Sequence, residues 1–317
     1  MTSLPLILRR SQVSALACSS SLKGVLEARA ASAALAEGLR TWTDADELPV
    51  GDGGEGTLDV LHAALGGDWS ETPVHDAFGR RRDARWLTLP DGTVAVEAAE
   101  AIPLDPARLD AMSASSRGFG ELIASLGQPP ALLVCLGGTA NVDGGAGLRE
   151  VLRALPSPTR VACDVDVPLL DAARVFAEQK GASRTQAAEL ERRLAAMQEL
   201  TAVAGLPGAG AAGGLGAALA ALGAELVPGA QLVLDLIGFD TRGYDLVVTG
   251  EGIVDATTMR GKAPGEVVRR CTAAKVRCVL FGGQVLDAPD DVEAVQLSGD
   301  PSQARQDLRR LGAALVT

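Results

Sequence analysis

Residues 131–147, ALLVCLGGTANVDGGAG, decide the fold class of this sequence. A continuous apolar run ends directly in a loop of glycine, asparagine and aspartate, which is typical of a buried strand in a parallel sheet. Two other runs, at 160–163 and 244–249, continue in the same way into DVDVPLL and GEGIVD. Open α/β sheets bind ligands outside the carboxyl ends of their strands, so these three loops are the first candidates for a functional site.

The rest of the chain predicts strands and helices in alternation, with one antiparallel region. Residues 13–18 are a predicted strand and residues 25–39 a predicted helix, because a short apolar run precedes an alanine- and leucine-rich stretch. Residues 68–97 alternate apolar and polar side chains around FG and DG turns, as antiparallel hairpins do. The remaining predicted elements are strands at 231–236 and 276–281 and charged helices at 185–199 and 304–311.

A change of pattern near residue 70 divides the chain into two predicted domains. We expect one discontinuous α/β domain of residues 1–70 and 240–317, with a second α/β domain of residues 71–239 inserted into it. A hydrophobic fraction of 47% in 317 residues is enough to fill both cores. Aromatic residues make up only 3% of the chain, which suits helices packed on a parallel sheet better than a β-sandwich.

Composition argues against several classes of protein. A net charge of −11 provides no basic surface for nucleic acid, and five cysteines without a CxxC pair predict neither a disulfide framework nor a zinc site. Arg9 and Arg10 follow the first apolar run instead of preceding it, unlike a signal peptide, and residues 201–224 are too rich in alanine and glycine to favour a bilayer. We therefore expect a cytoplasmic protein without nucleic-acid or membrane partners, and the sequence leaves a homodimer open.

Four loops have the composition that phosphoryl transfer requires. This chemistry needs cations and backbone N–H groups around phosphates, carboxylates for magnesium, and a group that positions the attacking hydroxyl. Glycine allows the backbone to approach a phosphate closely. The loops are GDGGEGT at 51–57, NVDGGAG at 141–147, the pair Asp164 and Asp166, and TGEGIVDATTMRGKAP at 249–264. The competing interpretation is that their carboxylates only cap helices.

The scarcity of lysine singles out three residues. Lys and Arg together number 29, but the lysines are only Lys23, Lys180, Lys262 and Lys275, and the first three of these adjoin a glycine. A compact ammonium group suits a phosphate oxygen in a way that a planar guanidinium does not. We interpret these three lysines as functional, and the alternative is that they are ordinary lysines beside turns.

Three other motifs have weaker interpretations. GAGAAG at 208–213 matches a dinucleotide-binding fingerprint, but the preceding segment looks helical, which favours a glycine-rich helix start. Gly261 and Lys262 lack the spacing of a P-loop, and Ala263 stands where a magnesium-binding hydroxyl would be required. His62 and His75 have no nucleophile nearby in sequence, so structural roles are predicted for both.

Eight motifs in register resemble the bacterial glycerate kinase family of glyoxylate and sugar-acid catabolism. They are SLKG, LPVGDGGEGT, SSRGFGELI, LGGTANVDGGAG, ACDVDVPLL, FAEQKGA, PGAGAAGGLGAAL and TGEGIVDATTMRGKAP, and they cover nearly the whole chain. The resemblance implies a discontinuous Rossmann-like or flavodoxin-like domain with a second α/β domain inserted. It also implies a magnesium-dependent kinase that transfers a phosphoryl group from ATP to D-glycerate and releases phosphoglycerate.

These loops and the resemblance together define the predicted site. Catalytic roles are predicted for Lys23, Asp52, Asp143 and Lys262, and Mg²⁺ ligands are predicted at Asp164, Glu251 and Asp255. The predicted ligands of substrate and ATP are Ser21, Gly53, Gly54, Glu55, Arg117, Gly137, Gly138, Thr139, Gly144, Lys180, Gly210, Gly213, Gly250 and Gly252.

The chain departs from the family pattern at six polar positions and in one segment. Family members carry polar residues where this chain has Ser20, Ile102, Phe119, Val142, Val167 and Ile253, and the stretch between residues 150 and 160 is shorter than in the family. A lost polar group leaves its buried partners unpaired, which costs roughly 1–3 kcal/mol for each. The alternatives to a glycerate kinase are therefore a divergent homologue that acts on another small hydroxy acid and a non-catalytic protein that binds nucleotide or acid.

Overall fold

The computed structural model describes residues 14–315, which form two compact units. Unit 1 contains residues 14–49, 240–256 and 267–315, and unit 2 contains residues 50–239 and 257–266. The strands are β1 (Ser14–Ser19), β2 (Asp44–Glu47), β3 (Asp68–His75), β4 (Arg81–Thr88), β5 (Val94–Glu97), β6 (Leu132–Leu136), β7 (Thr159–Cys163), β8 (Glu225–Pro228), β9 (Leu246–Val254), β10 (Arg277–Val285) and β11 (Glu293–Gln296). The helices are α1 (Ala28–Leu39), α2 (Thr57–Leu65), α3 (Ala98–Ala101), α4 (Arg117–Ser125), α5 (Ala146–Val151), α6 (Ala172–Phe176), α7 (Arg184–Ala195), α8 (Ala211–Ala221), α9 (Gly229–Leu236), α10 (Ala263–Ala274) and α11 (Ala304–Ala314).

Unit 1 is a doubly wound parallel sheet. Its strands lie in the order β11-β10-β9-β1-β2, and every neighbouring pair is parallel. Val279 and Phe281 pack in a cluster with α1 and α11, whereas Leu280 packs with Val268 of α10, so the two faces of β10 each carry helices. Counted along the chain within this sheet the order is 2-1-3-4-5, the flavodoxin-like arrangement, and the strand order reverses between β1 and β9.

Unit 2 is a mixed six-stranded sheet in the order β3-β4-β5-β6-β7-β8. The pairs β3–β4 and β4–β5 are antiparallel, as the alternating pattern of residues 68–97 predicts. The strands from β5 to β8 are parallel. β6 lies at the start of the segment 131–147 and is buried along its whole length. The α/β class and the insertion of a second α/β unit between β2 and β9 are confirmed.

The structure overturns one predicted element, and its two units differ from the predicted domains in residues 50–70 and 257–266. The predicted strand at 231–236 is wrong, because these residues belong to α9. Gln231 and Asp235 are exposed and lie four residues apart, while Leu232, Val233 and Leu234 are buried, which is a helical period that the apolar run obscures. Residues 50–70 group with unit 2 and not with unit 1, because α2 packs against β4, β5 and α9.

Two segments of the sequence bear on membrane association, the start of the chain and residues 201–224, and the structure describes the second one completely. Arg9 and Arg10, from which the absence of a signal peptide is predicted, lie outside the described range. Within residues 14–315, no helix combines the length and the apolarity that a bilayer crossing needs.

Candidate active site

The loop at 51–57 is a tight turn that leads into α2. Gly53 has a left-handed φ of +86°, and a Cβ atom there would lie 2.7 Å from the Cβ atom of Ala162 in β7. The N–H of Gly53 donates to the Thr57 hydroxyl at 3.1 Å, and the N–H of Gly54 donates to the Asp52 carboxylate at 3.1 Å. Glycine is therefore required at position 53 both by the backbone and by the close approach of β7.

Glu97 anchors the end of the same loop, and the sequence motifs did not reveal it. Its two carboxylate oxygens accept the N–H groups of Gly56, at 2.7 Å, and Leu58, at 3.3 Å. The side chain is buried, and burial raises its pKa to about 8 against the opposing effect of the two N–H donors. The available signal was a glutamate that ends the otherwise apolar strand β5, but it lies in no glycine-rich loop.

The loop after β6 packs directly against the loop at 51–57. A Cβ atom on Gly137 would lie 2.6 Å from the Cα atom of Gly54 and 2.9 Å from a carboxylate oxygen of Asp164. A Cβ atom on Gly138, which has a φ of +64°, would lie 3.2 Å from a carboxylate oxygen of Glu55. Three of the loops chosen from the sequence therefore meet at one edge of the unit 2 sheet, where bare backbone lies beside carboxylates.

Lys180 lies buried among these loops. Its ammonium group donates to the backbone carbonyl of Asn141 at 2.8 Å and to the Thr139 hydroxyl at 3.4 Å. Burial lowers the pKa of Lys180 to about 8, while the negative charges of Asp164 and Asp143 act in the opposite direction. A lysine with only 4% of its surface exposed is not an ordinary lysine beside a turn, so that alternative is excluded for this residue.

The carboxylate of Asp143 accepts hydrogen bonds from Ser116 and from its own loop. It accepts the N–H and the hydroxyl of Ser116, each at 2.8 Å, and the side-chain amide of Asn141 at 2.9 Å. It also accepts the N–H groups of Gly145 and Gly147, both at 3.1 Å, at the start of α5. These contacts favour the capping interpretation for Asp143, and its catalytic role stays a prediction.

The glycines at 144, 210 and 213 bring the start of α8 against the site loop. Gly144 donates to the carbonyl of Gly213 at 3.0 Å, and Gly210 donates to the carbonyl of Val167 at 2.8 Å. A Cβ atom on Gly213 would lie 2.1 Å from the carbonyl oxygen of Asn141. The GAGAAG segment opens a helix and follows a series of turns, so it is a glycine-rich helix start and not a dinucleotide fingerprint.

Arg117 begins α4 and lies in an ion-pair network. Its guanidinium contacts Glu121 at 3.1 Å and Glu150 at 2.8 Å, and Glu121 also accepts from His75 at 2.9 Å. Half of the Arg117 side chain is exposed. Binding of substrate by Arg117 stays a prediction, and it would require exchange of these acidic partners for a ligand.

The predicted residues of unit 1 gather where the strand order switches. Ser20 donates through its N–H, at 3.0 Å, and through its hydroxyl, at 3.2 Å, to the carbonyl of Gly250, which joins the ends of β1 and β9. A Cβ atom on Gly252 would lie 3.6 Å from the backbone nitrogen of Lys23. Lys23 is exposed in a short turn closed by hydrogen bonds between Leu22 and Leu26. Ligands of open α/β sheets bind at such a switch point.

The remaining predicted residues of the loop at 249–264 lie around β9 and α10. Glu251 is buried within β9, and Asp255 follows the end of that strand and is half-buried. Lys262 precedes α10, is half-buried, and accepts the N–H of Glu266 on its carbonyl at 3.1 Å. Residues 257–266, and with them Lys262, group with unit 2.

Comparison with known proteins identifies the family. The model of the glycerate kinase family matches residues 15–157 and 150–305. The chain belongs to the glycerate kinase family. Glycerate 2-kinase of Escherichia coli (strain K12) is 35% identical over 297 residues, which cover 77% of this chain and 78% of that relative. Glycerate kinase of Bacillus subtilis (strain 168) is 32% identical over 320 residues, with coverage of 84% and 83%.

A solved structure supports the same conclusion for the fold. A crystal structure of a protein assigned as glycerate kinase 2, from Salmonella typhimurium LT2, matches with a TM-score of 0.76 and 28% identity over 95% of this chain and 96% of that one. Members of the glycerate kinase family are phosphotransferases, so the chain is an enzyme of the kinase class, and ATP is the phosphoryl donor that this class implies.

Three of the six replaced family positions now serve packing in this member of the family. Ile102 and Phe119 are completely buried in the core beneath the unit 2 sheet, and Val142 is buried in a second cluster with α6, α7 and α8. Beside Val142, the carbonyl oxygen of the Asn141 side chain is buried without a hydrogen-bond partner among the described residues. Ile253 is different, because 46% of its surface is exposed next to Glu251.

The donor set for magnesium is consistent with a nucleotide-bound ion. Residues 14–315 contain no group of three or more His, Cys, Asp or Glu side chains that could hold a metal by themselves. Mg²⁺ in kinases is usually held by one or two carboxylates together with substrate phosphates. Glu251 and Asp255, on one short segment after the switch point, have the required oxygen chemistry.

Proposed function

We propose that this enzyme transfers the terminal phosphoryl group of ATP to a hydroxyl group of D-glycerate and releases phosphoglycerate. The observation that carries the proposal is the packing of the loop at 51–57 against the loop at 137–147, beside Asp164, with buried Lys180 hydrogen-bonded to the second of these loops. A buried ammonium group, glycine-rich backbone and acidic side chains are the parts that stabilise and position a transferring phosphoryl group.

Each part of this arrangement has a role in the proposed reaction. Lys180 supplies a fixed positive charge in a place where water does not screen it, and the developing negative charge of the phosphoryl oxygens is what it would stabilise. Gly53 and Gly54 allow this loop to pack closely against β7 and against the loop after β6. Asp52, held by the N–H of Gly54, is the carboxylate that we propose to accept the proton of the attacking hydroxyl.

Magnesium belongs to the proposal as a cofactor that neutralises phosphate charge when bound with ATP. We propose Glu251 and Asp255, which lie on one segment of unit 1, as its carboxylate ligands. Lys23 and Lys262 are proposed as further phosphate contacts, because each adjoins a glycine in a loop that also carries a hydroxyl or carboxylate.

The name of the E. coli relative favours the hydroxyl at carbon 2 as the acceptor. Phosphorus NMR of the product separates the two positions, because a phosphate on carbon 2 couples to one proton and gives a doublet, whereas a phosphate on carbon 3 couples to two protons and gives a triplet. A doublet supports the proposal, and a triplet overturns the choice of hydroxyl but not the transfer itself.

A second candidate function is the same transfer to another small hydroxy acid. Two observations favour it. Ile253 is exposed two residues after Glu251, and the side-chain oxygen of Asn141 has no hydrogen-bond partner among the described residues. Each lies at or next to a position where an apolar residue replaces a polar residue of the family. A site that has lost hydrogen-bonding groups discriminates less strongly among acids. The test is kcat/KM for D-glycerate, L-glycerate, lactate and tartronate, and a preference for any acid over D-glycerate would support the second candidate.

A further inference from the structure

The carboxylate of Glu97 holds the backbone at the end of the loop at 51–57 from outside that loop. Gly56 and Leu58 stand at the first turn of α2, where backbone N–H groups have no partner within the helix. Gly56 is the N-cap residue, and its own side chain cannot cap the helix. Glu97 supplies both missing acceptors from β5, 41 and 39 residues away in sequence.

We propose that Glu97 is the positioning residue of the active site: its carboxylate holds the Gly56 and Leu58 N–H groups and thereby fixes the loop that presents Asp52 and Glu55. This inference rests on the proposed function, because it assigns that loop to the reaction. Only three residues separate the Gly56 anchor from Asp52, and the turn between them is closed by the Gly53–Thr57 and Gly54–Asp52 hydrogen bonds. A change at the anchor is therefore transmitted to the carboxylates over a short, stiff segment.

The surroundings of Glu97 make this anchor sensitive to pH. Glu97 is 3% exposed, and burial disfavours its charged form. When it binds a proton, one oxygen becomes an O–H group, which is a weaker acceptor than a carboxylate oxygen, so one of the two N–H anchors is weakened. The titratable and charged groups around it are Asp52 and Glu55 of the loop, Asp59 and His62 of α2, Glu100 of α3, Arg85 of β4 and Cys135 of β6.

Two of these neighbours, Glu100 and Glu55, determine the direction in which a substitution would shift the pKa of Glu97. The charges of Glu100 and Glu55 both favour the protonated form of Glu97. Glu100 forms a 2.6 Å ion pair with Arg85, away from the loop. The substitution Glu100→Gln therefore removes one repelling charge without touching the anchor, and it should make Glu97 ionise at lower pH.

The experiment combines a structural and a kinetic titration of the full-length enzyme. The amide resonances of Gly56 and Leu58 are followed by ¹H–¹⁵N NMR between pH 6.5 and 9, and kcat/KM for D-glycerate is measured over the same range. We expect both amides to titrate with one midpoint, and kcat/KM to have an ascending limb with the same midpoint. Loss of the Lys180 proton, whose pKa is also about 8, adds a descending limb, so kcat/KM should pass through a maximum near this pH.

Variants distinguish positioning from a structural role. Glu97→Gln should abolish the amide titration and the ascending limb, and it should leave the descending limb that follows the loss of the Lys180 proton. Glu100→Gln should move the amide midpoint and the ascending limb together to lower pH, and this comparison remains decisive if Glu97→Gln does not fold. Persistence of the limb in Glu97→Gln, or a shift of only one of the two titrations in Glu100→Gln, would overturn the proposal. An amide titration in an enzyme that does not phosphorylate any hydroxy acid would instead overturn the proposed function and leave the anchor intact.

Discussion

Replacement of Lys180 by methionine separates the chemical role of this residue from any role in folding. Methionine has a similar length and volume but carries no charge, so it still fills most of the space that the Lys180 side chain occupies beside Thr139 and Phe176. The expected loss of one preorganised donor to the transferring phosphoryl group is about 10²–10³ in kcat.

The expected effect on stability follows from the lowered pKa of Lys180. The fall from 10.5 to about 8 corresponds to about 3 kcal/mol of unfavourable free energy for keeping the ammonium group charged in the folded protein. The hydrogen bond to the carbonyl of Asn141 opposes this by about 1.5–3 kcal/mol. The two terms nearly cancel, so we expect the unfolding free energy of Lys180→Met to lie within about 1–2 kcal/mol of the wild-type value. Truncation of a buried side chain to alanine typically costs more, about 2–5 kcal/mol.

The dependence of stability on pH gives the sign of the effect. Between pH 8 and 10.5 the unfolded chain keeps the proton on Lys180 that the folded chain has released, so the stability of the wild type relative to Lys180→Met should rise with pH over this range. The assay is urea unfolding at several pH values together with initial rates of ADP formation. Lys275→Met is the matched control, because Lys275 is exposed, and it should change neither quantity. A stable Lys180→Met enzyme with wild-type kcat would refute the role assigned to Lys180.

Four further predictions concern the other parts of the site. Chelation of divalent cations should abolish turnover, and Mg²⁺ or Mn²⁺ should restore it without zinc; full activity in the presence of chelator would remove the carboxylates from metal binding. Lys262→Ala should lower kcat by about 10²–10³ with an unchanged Tm, and Lys262→Arg should recover only part of it; a lower Tm with normal kcat would identify a purely structural residue. Gly53→Ala should lower Tm more than Gly56→Ala, since both glycines have a φ close to +87° but only the Cβ atom at position 53 would meet Ala162, at 2.7 Å; equal effects would contradict the close approach of β7. The unfolding free energy of the wild type relative to Glu97→Gln should fall as pH rises from 4.5 to about 8, because the folded state keeps a proton that the unfolded state has lost; a flat difference in urea titrations would contradict the raised pKa of Glu97.

The central strands and the loops at their carboxyl ends could be predicted because their sequence signals are strong. β1, β6, β7, β9 and β10 are apolar runs that end in glycine, serine or aspartate. The strands β2, β8 and β11 gave no such signal, since each has four residues, carries charged or polar side chains and lies at the edge of a sheet. Edge strands with exposed charges avoid pairing with other chains, and the same charges hide them from a search for apolar runs.

The candidate site was predictable as a set of loops but not as a set of roles. Glycines beside carboxylates pointed to residues 51–57, 137–147 and Asp164, which the unit 2 sheet brings together. The anchor Glu97 was missed because its role depends on a contact between β5 and α2 that no local pattern encodes. The carboxylate of Asp143 has the same sequence signature as that of Asp52, and only its hydrogen bonds with Ser116 and the start of α5 distinguish them.

The central claim, that the enzyme phosphorylates D-glycerate, is tested most directly by the stoichiometry of one reaction. The purified protein is incubated with ATP, Mg²⁺ and D-glycerate, and ADP and phosphoglycerate are quantified in the same samples over time, with a parallel reaction that lacks D-glycerate. We predict equal amounts of ADP and phosphoglycerate, and ADP formation that depends on D-glycerate. ADP that forms at the same rate without D-glycerate, or that accumulates without phosphoglycerate, would contradict the claim.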